Sequence, residues 1–155
     1  MLKTLLLIVA AAIAALLIFA ATKPDAFRIQ RSTTIAAPPD KVFALINDLR
    51  QFNTWNPFAK MEPPVIITYD ATSAGVGGAY NWQGEKTGVG RMQITESVPA
   101  QRVSAKLDFT KPFEAHNQVD FTVQPQGNGS TVTWAMHGPM PYLNRLMTIF
   151  FDMDK

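Results

Sequence analysis

Residues 27–58 read FRIQRSTTIAAPPDKVFALINDLRQFNTWNPF, and this stretch decides the fold. FRIQRSTTI alternates like a strand, AAPPD breaks it, KVFALINDL is amphipathic, and FNTWNPF is a Trp-containing turn leading to a second short helix. Pro38 and Pro39 suit the first turn of a helix, where a missing N–H costs little, and Asp40 places negative charge near the positive end of the helix dipole. Val42, Leu45, Ile46 and Leu49 share one helical face, while Asp40, Lys41, Asn47, Asp48 and Arg50 fill much of the rest. The helix therefore has a side to bury.

Downstream, the chain reads as a run of antiparallel strands. Glu62, Pro63 and Pro64 precede the strand VIITYD, and the small residues of ATSAGVGG suit a reversal into AYNWQG. TGVGRMQITESV places Met92, Ile94, Glu96 and Val98 on one face. After a turn at Pro99, Ala100 and Gln101, Val103, Ala105, Leu107 and Phe109 alternate with Ser104, Lys106 and Asp108. FEAHNQVDFTV puts Phe113, Ala115, Val119, Phe121 and Val123 together with Asn117 in their midst. QPQGNGS is a hairpin turn, and TVTWAMHG follows with Val132, Trp134 and Met136 as its apolar set. This is a sheet with one dry and one wet face. Gly138, Pro139 and Pro141 end it, and YLNRLMTIFFDMDK reads as an apolar helix running to Lys155.

Upstream, residues 4–21 carry no charge. Eighteen helical residues span roughly 27 Å, close to the ~30 Å hydrocarbon core of a bilayer. A single membrane-spanning N-terminal anchor fits. A cleaved secretory signal competes with it, but cutting after Ala20 or Ala21 leaves Ile18 or Phe19 at the position that wants a small residue. Lys3 and the amino terminus flank one end and Lys23, Arg28 and Arg31 the other, so charge leaves the side of the membrane open. The organisation expected is residues 1–22 as anchor or signal sequence, 23–26 as linker, and 27–155 as one domain. The roughly 130 residues past the anchor suffice for one core.

A strand ending in I-x-A-P-P-x-K-V-F, a helix carrying N-D, and then W-x-P-F resembles the polyketide cyclase/dehydrase-like branch of the SRPBCC superfamily. GVGGAYNWQG, VGRMQITESVPAQRV, LDFTKPFEAHNQVDFTV and STVTWAMHG look like that family's successive strands. The resemblance runs from about Ala26 to the C-terminus and rests on fold-specifying residues. It implies an α+β helix-grip (Bet v 1/START-like) domain: a curved antiparallel sheet, two short helices and a long C-terminal helix in the concavity. The sequence stops about where that last helix is due. The expectation is a truncated product, or a groove closed by residues 142–151, the membrane or a second chain.

The net charge of +2 is scattered, with no basic run or basic-aromatic stripe for nucleic acid. With no Cys, disulfides and thiolate metal sites are excluded. GxSxG, HExxH, CxxC and Walker-type loops are absent, so no cofactor or metal is expected. GVGG at 75–78 lacks a strand–loop–helix context and reads as a hairpin loop rather than a phosphate cradle. His116 and His137 fall opposite the apolar sets, as surface residues would.

Tyr80, Trp82, Met92, Ile94, Phe109, Phe121, Trp134 and Met136 form an apolar face suited either to a ligand wall or to a packed core. Trp55 and Phe58 are placed at the end of the groove. By parity Glu96 and Asn117 sit among apolar residues, where a carboxylate acts as an acid or base, or an amide orients a greasy ligand's polar end. Strand ends lose alternation easily, which offers Glu96 a route back to solvent, and the Asn117 amide has the alternative of satisfying a neighbouring backbone group. The leading expectation is binding of a hydrophobic small molecule or lipid without catalysis. A cyclase- or dehydratase-like enzyme using Glu96, and a protein-interaction module recruiting a partner to the uncovered groove, are the alternatives.

Overall fold

The computed structural model describes residues 1–147 and Ile149. The chain divides into two compact units, Arg28–His137 and Met1–Phe27 with Gly138–Lys155.

The larger unit is built on a seven-stranded sheet of order β1-β7-β6-β5-β4-β3-β2. Its strands are β1 (Ala26–Ile35), β2 (Ile66–Tyr69), β3 (Ala79–Gly84), β4 (Gly88–Val98), β5 (Arg102–Lys111), β6 (Ala115–Gln126) and β7 (Gly129–Pro139). Strands β2 to β7 form an antiparallel meander. The bond between Ser32 and Thr133 hydroxyls, with Gly129 against the Ile35 carbonyl, runs β1 antiparallel to β7. Consecutive strands β1 and β2 thus occupy opposite edges, and the chain between them must cross the sheet. That crossing carries α2 (Pro39–Asn47), α3 (Leu49–Trp55) and a 3₁₀ turn (Pro57–Lys60).

The helical segment predicted as continuous breaks at Asp48, which adopts an extended conformation and accepts a hydrogen bond from the Arg50 N–H as the N-cap of α3. The loop before β3 explains the break. Leu49 N–H donates to the Ser73 carbonyl, Gly75 N–H donates to Asn47, and Asp48 forms a β-bridge with Ala74. Gly75 and Gly77 both have positive φ, and Gly77 N–H donates to Ile94. The amides of Gly75, Gly77 and Gly78 are thus spent on backbone carbonyls, and the GVGG loop clasps the helix junction to the sheet.

Val42, Ile46, Leu49 and Phe52 are buried against the inner face of the sheet, among Ile94, Val103, Phe121 and Val123. Leu45, expected in this set, is 45% exposed. The buried stripe of α2 is centred on Val42 and Ile46, and one residue corresponds to ~100° of turn, which carries Leu45 to the margin. Phe113, expected on the apolar side of β6, is 81% exposed. Pairing of β6 begins with Ala115 opposite Phe109, so Phe113 lies in the loop outside the ladder.

The smaller unit contains α1 (Leu2–Thr22) and α4 (Tyr142–Met147). With 21 residues and a mean hydropathy of 2.9 over an 18-residue window, α1 is long and apolar enough to cross a membrane. Around its C-terminal end, the Tyr142 hydroxyl donates to the Leu17 carbonyl, Arg145 donates to Lys23, and the Lys23 ammonium lies 4.9 Å from the Phe19 ring centre. The expected continuation of the last helix past Met147 falls outside the described residues, apart from Ile149.

Candidate functional site

The inner face of the sheet divides into a closed and an open half. Toward the end where β6 meets β7, Val103, Val119, Phe121, Val123 and Val132 are buried. The Phe52 ring packs edge-on against Phe121 at 5.6 Å and Trp55 packs edge-on against Phe52 at 4.8 Å. Phe52 therefore fills the position expected of Trp55 and Phe58. Trp55 stays 43% exposed, its indole N–H donating to the Leu45 carbonyl, and Phe58 is 58% exposed. Leu49 and Phe52 lie three residues apart on α3, so they share the face that turns inward.

Leu107 and Phe109, toward the other end, and Trp134 and Met136, on β7 opposite Phe121 and Val119, are only partly buried. Strand register sets Leu107 opposite Asn117, Phe109 opposite Ala115, and Met136 opposite Val119. Asn117 is thus half-buried on the apolar face, and its side chain makes no hydrogen bond with another described residue. An amide with free donors and acceptors among apolar walls can fix the orientation of a bound molecule. Leu107 joins this set although sequence reasoning placed it only in the alternation of β5.

Of the other expected lining residues, Tyr80, Trp82, Met92, Ile94 and Phe121 are all buried in the core. Trp82 packs edge-on against Phe109 at 5.3 Å and donates its indole N–H to Thr87. Gly90 makes room for that ring: a Cβ there would stand 2.3 Å from Trp82 Cζ2. Burial, with the neighbouring Tyr69 second, pushes the Tyr80 phenol well above its ordinary range.

Glu96 is not in the groove. Ile94 pairs with Ala105, but Glu96 pairs with Ser104, so β4 carries a bulge at Thr95. The extra residue reverses the alternation. Glu96 turns to the outer face, exposed and ion-paired with Arg102, and Val98, expected beside Ile94, follows it opposite Arg102. Ser97 takes the inner position and donates to Asn47 of α2.

The outer face is polar and organised. Arg91 forks onto both carboxylate oxygens of Asp70 at 3.1 and 2.7 Å. The Arg91 hydrogen bonds lower the Asp70 pKa, and the same pairing raises that of Arg91. His116 contacts Asp108 through Nδ1 at 2.8 Å and Glu114 through Nε2 at 3.2 Å, and these bonds raise its pKa. His137 Nε2 lies 2.9 Å from Asp120, to which Ser104 also donates. Burial pulls the Asp120 pKa upward, but hydrogen bonds from Ser104, His137 and Gln118 outweigh it, and the net shift is down. Both histidines occupy the outer face as expected. Asp108 and Asp120 come from neighbouring strands, pairings invisible in linear spacing, whereas Glu114 stands two residues before His116. Among the described residues, no three His, Asp or Glu side chains converge as a metal site.

An open recess of about 730 Å³, bordered by Val98, Gln101, Val123 and Gln124, lies at the opposite end of the sheet from Asn117. It contains none of the expected lining residues.

Solved structures share this fold. Mll3558 of Rhizobium loti superposes with a TM-score of 0.57 at 19% identity, over 73% of this chain and 78% of that one. CalU16 of Micromonospora echinospora gives 0.54 at 18%, over 86% and 75%. Ara h 8.0201 gives 0.56 at 13%, over 80% and 90%. No curated protein matches the chain in sequence. The family model described as polyketide cyclase / dehydrase and lipid transport matches residues 26–148. That match covers most of the chain, which therefore belongs to this family, in the SRPBCC superfamily with its Bet v 1-like fold.

Proposed function

We propose that this protein is a membrane-anchored binding module that holds a hydrophobic small molecule or lipid in the open half of the inner face, without catalysis. The observation that supports this reading is the partly buried set Leu107, Phe109, Trp134 and Met136 around the unbonded amide of Asn117. Apolar walls supply affinity and one polar group supplies orientation. Family membership agrees with such a ligand class. The acid/base candidate Glu96 stands on the other face, which weighs against the enzymatic reading. The length and apolar character of α1 support the anchor, as does the Lys23, Tyr142 and Arg145 collar at its end, a composition suited to a membrane–water boundary.

The test is photo-crosslinking in vesicles. The full chain is reconstituted with a diazirine-bearing fatty acid, irradiated, digested and mapped by mass spectrometry. Adducts are expected on the peptides containing Leu107 and Met136, competed by unlabelled fatty acid. Adducts confined to α1 would overturn the binding proposal.

A further inference from the structure

The loop joining β5 to β6 presents Phe113 at 81% exposure, the most exposed large apolar side chain of the sheet unit. Lys111, Pro112 and Glu114 around it are exposed as well. The β3–β4 turn abuts this loop: a Cβ on Gly88 would stand 2.2 Å from the Lys111 carbonyl oxygen. Across the strands, Ile66, Gln83, Val89 and Lys111 form one row of paired residues, and Ile66 on the edge strand is 64% exposed. One end of the sheet thus shows Phe113 and Ile66 to solvent.

The polypeptide enters the sheet at this same end. β1 runs antiparallel to β7, and β7 runs antiparallel to β6, so β1 and β6 both start there. Only residues 23–27 separate Thr22, the end of α1, from Arg28. Five residues reach at most about 18 Å when fully extended. Strands lie about 4.8 Å apart, so β1 and β6, separated by β7 alone, lie about 10 Å apart. If α1 spans a bilayer, this end of the sheet cannot lie far from the lipid surface.

We propose that Phe113 and its loop dock this end of the sheet on the lipid–water interface. The proposal rests on the membrane-anchored reading above. Lys86 and Lys111 at this end are balanced by Glu85 and Glu114, so the contact is apolar rather than electrostatic and needs no anionic lipid. Docking there would set the open half of the inner face, bounded by Phe109 opposite Ala115, at the membrane side of the domain. A lipid-like ligand would then enter from the bilayer without crossing water.

Because the chain lacks cysteine, single labels can be placed without background. Full-length Glu114→Cys and Asn128→Cys, the latter in the β6–β7 hairpin at the opposite end, are labelled with an environment-sensitive fluorophore in phosphatidylcholine vesicles. A nitroxide carried on the lipid headgroup is expected to quench the label at 114 several-fold more than that at 128, independently of salt. Adding Phe113→Ser should lower the quenching at 114 toward that at 128. Quenching at 114 left unchanged by the substitution would overturn the docking, because the tether alone would then account for it. Equal quenching in protein that floats with the vesicles would overturn the docking and leave the anchor standing. A label at 114 shielded from aqueous iodide yet out of reach of the lipid nitroxide would also overturn it, by showing another protein surface there. Failure to float would overturn the anchor and the docking together.

Discussion

Glu96 stands opposite Ser104, one position out of the register that Ile94 opposite Ala105 sets. A single bulged residue moves the carboxylate from an apolar surface to an exposed pair with Arg102. Glu96→Gln is expected to change unfolding free energy by no more than about 0.5 kcal/mol. It should also leave fatty-acid crosslinking at Leu107 unchanged. Chemical denaturation and the crosslinking yield check the two halves of this expectation.

Gly90 and Trp82 make the opposite kind of prediction. A methyl group at position 90 meets Trp82 Cζ2 at 2.3 Å and the Asp108 carbonyl oxygen at 2.6 Å. Gly90→Ala should cost about 1–3 kcal/mol, read from urea midpoints. In a Trp82→Leu background the same substitution should cost less, because one of the two obstacles is gone.

Neighbouring residues on α2 separate just as sharply. Ile46 is 3% exposed and Leu45 is 45% exposed. Ile46→Ala is expected to lose about 2–5 kcal/mol. Leu45→Ala should lose below about 1 kcal/mol, since much of that side chain already meets water. Thermal and urea unfolding of the two variants give the comparison directly.

His116 titrates on the outer face with its pKa raised by hydrogen bonds to Asp108 and then Glu114. A raised folded-state value means that the protonated ring stabilises the fold below the ordinary histidine pKa of about 6.5, and that this contribution is lost as pH rises through the folded value. NMR titration should place His116 above about 6.5, and Asp108→Asn should move it down. Asp120 has the opposite sign: its pKa is lowered, so its contribution is present above the ordinary carboxylate range and lost as pH falls.

Much of the fold was legible because two periodicities survive in the sequence. Alternation placed Val103, Ala105, Val119 and Phe121 correctly, and the helix start at Pro38–Pro39–Asp40 stands where the prolines put it. Three features could not be read. The bulge at Thr95 leaves no mark on the chain, since either register satisfies the same residues until β5 is in place. The break at Asp48 depends on Ser73, Ala74 and Gly75, which only the tertiary fold brings to the helix junction. The His116 and His137 pairs join neighbouring strands, where linear spacing carries no information. Sequence parity placed Asn117 on the apolar face, opposite Leu107. It did not separate the residues sealed beneath α2 and α3 from those left open.

That separation gives the domain a division of labour between inheritance and change. Ile94, Val103, Phe121 and the residues that cap them hold the fold, and substitution there is expected to be punished through stability. Leu107, Phe109 and Met136 carry less of that burden because they are less completely enclosed. If these side chains hold the ligand as proposed, a few substitutions among them would retune which molecule is bound, with the scaffold left untouched.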